Sequence, residues 1–301
     1  MNNCVYTKLS AEFPNSDLLQ FGELRFNVIK TTYDNPITSV EVVISGDAPE
    51  APVIKAYGGT FSVDGVSKTE HILTKGSNGL YTLEFNVIND NYTIGITNAK
   101  YYLKSISSLF DIYTSFNPVI VSIDVEDLNF SPYLDTIKFT RTAKSSHALG
   151  SGVFNPITTN LRSIIAYDKD VQMHLSVLGR QPNFFAIQAF FNYSGDLSDI
   201  ANCKNINSLY LMESDNITGD IADLYQWISN NITMRFNDSP NIGGSIDALA
   251  DAMVARTNPK TSGAVDIYGV NTSAITCSVA GDSIRITFDS SAAKGYTISA
   301  I

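Results

Sequence analysis

The chain has 301 residues, 44% of them hydrophobic and 17% charged, a balance that excludes a disordered chain and leaves room for two domains. Its 20 Lys and Arg stand against 30 Asp and Glu for a formal charge of −10, and the basic residues form no run; phosphate neutralisation needs clustered Lys and Arg, so nucleic acid is excluded as a partner. Three cysteines, Cys4, Cys203 and Cys277, are far apart and odd in number, which excludes a disulfide framework and a CxxC metal pair.

Residues 1–22 read as a polar N-terminal arm. The stretch from Met1 to Asp17 has neither the basic n-region nor the apolar h-region of a secretory signal. No stretch approaches the roughly 18 uninterrupted apolar residues of a membrane span, so no membrane insertion is expected.

From residue 23 to 97 apolar and polar residues alternate at period two, the pattern of half-buried strands. Val40, Val42 and Ile44 point one way, as do Tyr81, Leu83, Phe85 and Val87. Further strand candidates begin at Glu23, Ala51, Gly59, Glu70 and Tyr92, with turn signals between them at Asp64-Gly65, Asn78-Gly79 and Asn89-Asp90-Asn91. Short strands at this spacing predict an antiparallel β-sandwich.

Residues 98–129 read as a linker or junction. Tyr102, Ile106 and Leu109 suit a short helix, although Ile106 and the aromatics also suit a strand; Asn117-Pro118 then breaks the chain before Val119 to Val125 returns to strand character.

Residues 130–301 carry a nine-residue phrase three times: Asn192 to Ile200, Asn216 to Leu224 and Asn241 to Leu249. Its glycines, Gly195, Gly219 and Gly244, are 24 and 25 residues apart (219 − 195 and 244 − 219), a period that suits a solenoid of stacked coils. Ten and eight residues before each glycine stand Phe185 and Ile187, Leu209 and Leu211, Met234 and Phe236, read as inward positions of one strand per coil. Within the phrase, Tyr193, Ile217 and Ile242, then Leu197, Ile221 and Ile246, are expected to turn inward. The glycine suits a positive φ or a close approach. The heading Asn192, Asn216 and Asn241 suit hydrogen bonds to backbone groups in the bend. Degenerate coils are expected around Leu134, Ile137 and Phe139, around Leu161, Ile164 and Ala166, at Val265 and Ile267, and at Ile284 and Ile286. A helix is predicted from Ala248 to Arg256, and the apolar end after Gly295 needs a cap.

The middle coil resembles the plant-type leucine-rich repeat LxxLxLxxNxLTGxIPxxL through Ile206, Leu209, Leu211, Ile217, Thr218, Gly219 and Ile221. It departs in the placing of Asn216 and in Ala222, where the family has proline. The expected fold class is therefore mainly β with some α, an N-terminal β-sandwich followed by an irregular leucine-rich-repeat-like solenoid.

No catalytic constellation is found. His71, His147 and His174 are isolated, and GxSxG, Walker and GxGxxG motifs are absent. Asp168 with Asp170, and the group Asp215, Asp220 and Asp223, are the acidic pairs a calcium site would use, but neither forms an EF-hand or a nonapeptide calcium repeat, and they read as solvated corners. No catalytic residue, metal or cofactor is expected. Plant-type repeats joined to β-domains are similar in style to virion proteins of tailed phages of gut Bacteroidetes, the crAss-like group among them. That resemblance implies a head fibre, tail fibre or tail-ring component, assembled in the host cytoplasm as a homo-oligomer. Its implied partners are other virion proteins and a host surface receptor or glycan. A bacterial cell-surface leucine-rich-repeat adhesion protein is the alternative, and a glycan depolymerase a third. The expected binding residues lie between the inward strand positions: Gln188, Tyr210 and Arg235.

Overall fold

The computed structural model describes residues 22–28, 37–88, 90–109, 121–139, 149–166, 170–189, 191–200, 203, 205–226, 228 and 231–301. Residues 1–21 of the arm 1–22, the Asn117-Pro118 break, His147 and Asp168 lie outside them. The protein is mainly β with some α, and its chain packs as two units, one built from 1–134, 139–150 and 156–158, the other from 135–138, 151–155 and 159–301.

The first unit contains β1 (Leu24–Val28), β2 (Ile37–Ile44), β3 (Val53–Tyr57), β4 (Phe61–Val63), β5 (Val66–Lys68), β6 (Glu70–Ile72), β7 (Tyr81–Ile88), β8 (Tyr92–Ile96), β9 (Leu103–Leu109) and β10 (Val121–Ile123). They form two antiparallel sheets, β10-β1-β8-β3-β6 and β9-β2-β7-β4-β5. Alternation sets the buried faces. Val40 stands opposite Phe85, Val42 opposite Leu83 and Ile44 opposite Tyr81, so a single face of the β2–β7 pair carries all six side chains into the core. In the other sheet Leu24, Phe26 and Val28 pair with Ile96, Ile94 and Tyr92. Phe26 meets Phe85 of the second sheet edge-on, ring centres 6.5 Å apart. At the β4–β5 turn Asp64 and Gly65 both take positive φ, 51° and 76°, as a two-residue hairpin requires.

In the stretch 98–129, read from the sequence as a junction, the described residues pack with this unit. One helical turn, Ala99–Tyr102, leads into β9, which pairs with β2, and β10 pairs with β1. Leu103 and Ile106 are both buried, three residues apart across an irregularity opposite Val43 and Ile44, and that spacing is why the segment also suits a helix in the sequence. Ser131 then ties the chain back, its hydroxyl donating to the Leu103 carbonyl at 2.6 Å.

The second unit alternates strands between two parallel ladders. The first ladder stacks β11 (Thr136–Phe139), β13 (Ser163–Ala166), β15 (Ala186–Ala189), β17 (Ser208–Tyr210), β19 (Ile232–Arg235) and β21 (Ser262–Tyr268); the second stacks β12 (Gly152–Val153), β14 (Val171–His174), β16 (Asn192–Asp196), β18 (Asn216–Asp220), β20 (Ile242–Ser245) and β22 (Ala274–Thr276). Each pass of the chain adds one strand to each ladder. In the first, Ile137, Ile164, Ile187, Leu209, Met234 and Ile267 are stacked partners, all buried. In the second, Met173, Tyr193, Ile217, Ile242 and Ile275 are buried.

Two expectations change here. Ile284 and Ile286 lie on β23 (Ser283–Asp289), which runs antiparallel to β21, and β24 (Tyr296–Ala300) runs antiparallel to β23. The terminal apolar stretch is thus paired, and these strands close the last parallel strand. Phe185 is not inward: it is 40% exposed, precedes β15, and leaves its core position to Phe184. The cause is coil length. Gly195 follows its stacked residue Ile187 by eight positions (195 − 187), whereas Gly219 and Gly244 follow Leu209 and Met234 by ten (219 − 209 and 244 − 234). Counting back from the glycine therefore misplaces the first coil by two.

Candidate binding surface

The repeated phrase is spent on folding. Tyr193, Ile217, Ile242, Leu197, Ile221, Ile246, Ile200, Leu224 and Leu249 are all buried. Gly195, Gly219 and Gly244 take φ of 116°, 120° and 99°. A side chain at Gly244 would overlap the Oδ1 of Asp220 from the preceding coil. The residue after each glycine starts the following helical turn. Asp196 accepts from the Ser198 amide at 2.9 Å, Asp220 from the Ala222 amide at 2.7 Å, and Ser245 from the Ala248 amide at 3.3 Å at the head of the helix Ile246–Ala255. Asp199 completes a capping box by accepting from the Asp196 amide at 2.9 Å. These bonds hold the Asp196 carboxyl below its ordinary range, the Ser198 amide first among the causes. So Asp196 and, of the acidic corners, Asp220 cap helical turns, a role the spacing Gly-Asp before an apolar turn could have announced.

The heading asparagines are exposed. Asn241 donates to the Asp215 carbonyl of the previous coil at 2.6 Å. Serines two positions earlier take up buried backbone: the Ser239 hydroxyl donates to the Leu211 carbonyl at 2.8 Å and accepts from the Ser214 amide at 3.3 Å. Cys203 donates its thiol to the Leu178 carbonyl at 2.8 Å, and burial pushes that thiol up to about 12. Tyr193, wholly buried, donates to the Ala189 carbonyl at 2.9 Å, and burial raises its phenol far above the ordinary value.

What folding leaves over is the opposite face of the first ladder. The parallel register sets Gln188 beside Tyr210, Tyr210 beside Arg235, and Arg235 beside Tyr268. Neighbouring strands lie about 4.8 Å apart, so the four side chains make one continuous row. All four are partly exposed. Gln188 donates to the Ser208 hydroxyl at 3.1 Å. The Arg235 guanidinium lies between two rings, 5.0 Å from the centre of Tyr210 and 4.4 Å from that of Tyr268. Its Nε is buried without a hydrogen-bond partner. Leaving that donor unpaired costs about 1–3 kcal/mol; two ring faces at about 0.5–2 kcal/mol each offset it. The stack therefore costs the fold little and holds the guanidinium plane in place.

The structure brings the three sequence-predicted residues together and adds Tyr268. Its signal was available, since Tyr268 follows stacked Ile267 as Arg235 follows Met234 and Tyr210 follows Leu209. The next row on the same face holds Ser208, Thr233 and Asp266. Asp266 is closed by Arg285, whose Nε and Nη2 donate to its two oxygens at 2.6 and 2.8 Å.

A Ser–His–Asp grouping occurs elsewhere in the same unit. Ser176 Oγ lies 2.9 Å from His174 Nδ1, and Asp199 Oδ2 lies 4.0 Å from that same nitrogen. A nucleophile relay needs the base and its orienting carboxylate on opposite ring nitrogens. Here the Ser176 amide also donates to Nδ1, at 3.2 Å, so the contact is a local turn. Among the described residues, no three His, Cys, Asp or Glu side chains come together as a metal site would require, and no helix is long and apolar enough to cross a membrane. No protein-family profile, curated protein or solved structure matches the chain.

Proposed function

We propose that the chain is a non-enzymatic structural and recognition component of a tailed-phage virion: a head fibre, tail fibre or tail-ring protein. In this reading the first unit is an antiparallel β-sandwich that docks to the particle. The second is a leucine-rich-repeat-like solenoid that meets another virion protein or a host-surface receptor or glycan. The observation that carries the recognition reading is the row Gln188, Tyr210, Arg235 and Tyr268, held in register on parallel strands and unused by the core. Strands make a rigid mount for such a row, which lowers the ordering cost of binding. The plant-type phrase around Gly219 and the joining of repeats to a β-domain support the virion assignment. Sedimentation of particles from a producing lysate tests it. The chain is expected to co-purify with particles through a density gradient; recovery solely in soluble host fractions refutes it. Alanine at Gln188, Tyr210 and Arg235 together is expected to leave the fold intact and abolish partner or host-surface binding.

A further inference from the structure

We infer that Arg235 is a carboxylate-binding subsite and that its ligand is a glycan residue bearing a single carboxylate, such as a sialic or uronic acid. The inference rests on the recognition reading of the row and names its ligand. The rings of Tyr210 and Tyr268 flank the guanidinium, their centres 5.0 and 4.4 Å from its central carbon. Ring contacts of this kind limit the motion of the group without using its N–H donors. Two arginines share this face. Arg285 is closed by the bidentate carboxylate of Asp266, whereas among the described residues no carboxylate pairs with Arg235; its Nε is buried, so the two Nη groups are the donors open to a ligand. An immobilised planar fork with unspent donors matches a carboxylate in geometry and charge.

The neighbours select the rest of the ligand. The faces of Tyr210 and Tyr268 toward Arg235 are spent on the guanidinium, so the rings make no apolar pocket there for a protein partner's anchoring side chain. On the outward positions of the strands around it stand Gln188 and Thr233, an amide and a hydroxyl that are both part-exposed, and Asp266, whose carboxylate is taken by Arg285. Such a surface suits a polyhydroxylated ligand. The chain's charge of −10 repels a polyanion, which leaves one carboxylate on an otherwise neutral sugar as the fitting ligand.

The test is titration of the full chain with 3′-sialyllactose and with lactose, followed by ligand-observed NMR and calorimetry. Sialyllactose is expected to bind at least about tenfold more tightly, the weight of one charge-assisted pair. Arg235→Lys keeps the charge without the fork and is expected to abolish that preference while preserving the urea unfolding midpoint. Equal binding of the two sugars overturns the inference, as does binding of neither up to about 10 mM. Tighter binding of a hexaglutamate peptide overturns it in favour of an acidic protein partner. Acetate binding as tightly as sialyllactose reduces the site to an adventitious ion only. None of these failures decides the recognition reading, which stands or falls on whether the triple alanine variant still binds its partner or host surface.

Discussion

Gly243 and Gly244 are adjacent on β20 and give a controlled test of the repeat's backbone logic. Gly244 has φ of 99°, and a Cβ there would overlap Asp220 Oδ1. Gly243 does not share the positive φ, and a Cβ on it would find its nearest neighbours, the Ala274 Cβ and carbonyl, at an ordinary 3.7 Å. In Gly244→Ala, an L-residue forced to positive φ costs about 1–2 kcal/mol. Displacing Asp220 from the Ala222 amide removes a cap worth about 1 kcal/mol, so the expected loss is about 2–3 kcal/mol. Gly243→Ala is expected to lie between neutral and about 1 kcal/mol stabilising, through the less flexible unfolded chain. Urea titration followed by fluorescence of the single Trp227 reads both. With an m value of about 2 kcal/mol/M, the two midpoints should separate by roughly 1–2 M. The Asp220→Ala, Gly244→Ala double variant should cost little more than Gly244→Ala alone, because the cap is already lost. Midpoints for Gly243→Ala and Gly244→Ala within about 0.5 kcal/mol of each other would refute the reasoning.

Three further outcomes are expected. Phe184→Ala should destabilise by about 3–5 kcal/mol and Phe185→Ala by under about 0.5 kcal/mol in thermal melts, since only Phe184 is buried; a reversed order would restore the register read from the phrase. Cys203 should resist alkylation at pH 8 until the chain is unfolded, its thiol being buried and pushed up to about 12. Because that folded value lies above the free thiol's 9.0, its contribution to stability is complete below pH 9 and is lost as pH rises toward 12; Cys203→Ser should flatten that alkaline slope. Asp196 is depressed below 3.8 by the Ser198 amide and hydroxyl, so its contribution is complete above that value and is lost as pH falls through the lower folded one. Asp196→Asn should remove this part of the acid slope, and an unchanged slope would show that the cap does not hold the folded carboxyl.

The parts of the fold that could be read in the chain are those where one residue pattern has one structural cause. Val40, Val42 and Ile44 announce a strand because alternation at period two has no helical equivalent, and Asp64-Gly65 announces a hairpin because few residues tolerate paired positive φ. β9 reads as either helix or strand because an irregularity opposite Val43 and Ile44 buries both Leu103 and Ile106, three residues apart, and Tyr101 and Tyr102 fit the helical turn before it. The Phe184 and Phe185 pair shows a second limit. Two adjacent large aromatics satisfy either register, and only the length of the connection to Gly195, two residues shorter than in its neighbours, decides between them. Of the outward row, the positions of Gln188, Tyr210 and Arg235 were legible from alternation. The stacking of Arg235 between two rings was not, because it depends on Tyr268, 33 residues further on (268 − 235), arriving in register.

Repetition and recognition make opposite demands on the same coil. Asparagine, glycine, acid and apolar residues recur because each coil must bend, cap its helical turn and bury its face in the same way. A position under that demand has no freedom to specialise. The outward strand residues that follow the stacked apolar ones are less uniform: Gln188, Tyr210, Arg235 and Tyr268 follow Ile187, Leu209, Met234 and Ile267. If these sites merely faced solvent, small charged residues would serve at each. Instead two aromatic rings are brought into register on either side of one guanidinium whose Nε remains unpaired in the folded chain. The ring contacts offset the cost of that unpaired donor, and on the proposed reading they also fix the orientation of the guanidinium for a ligand.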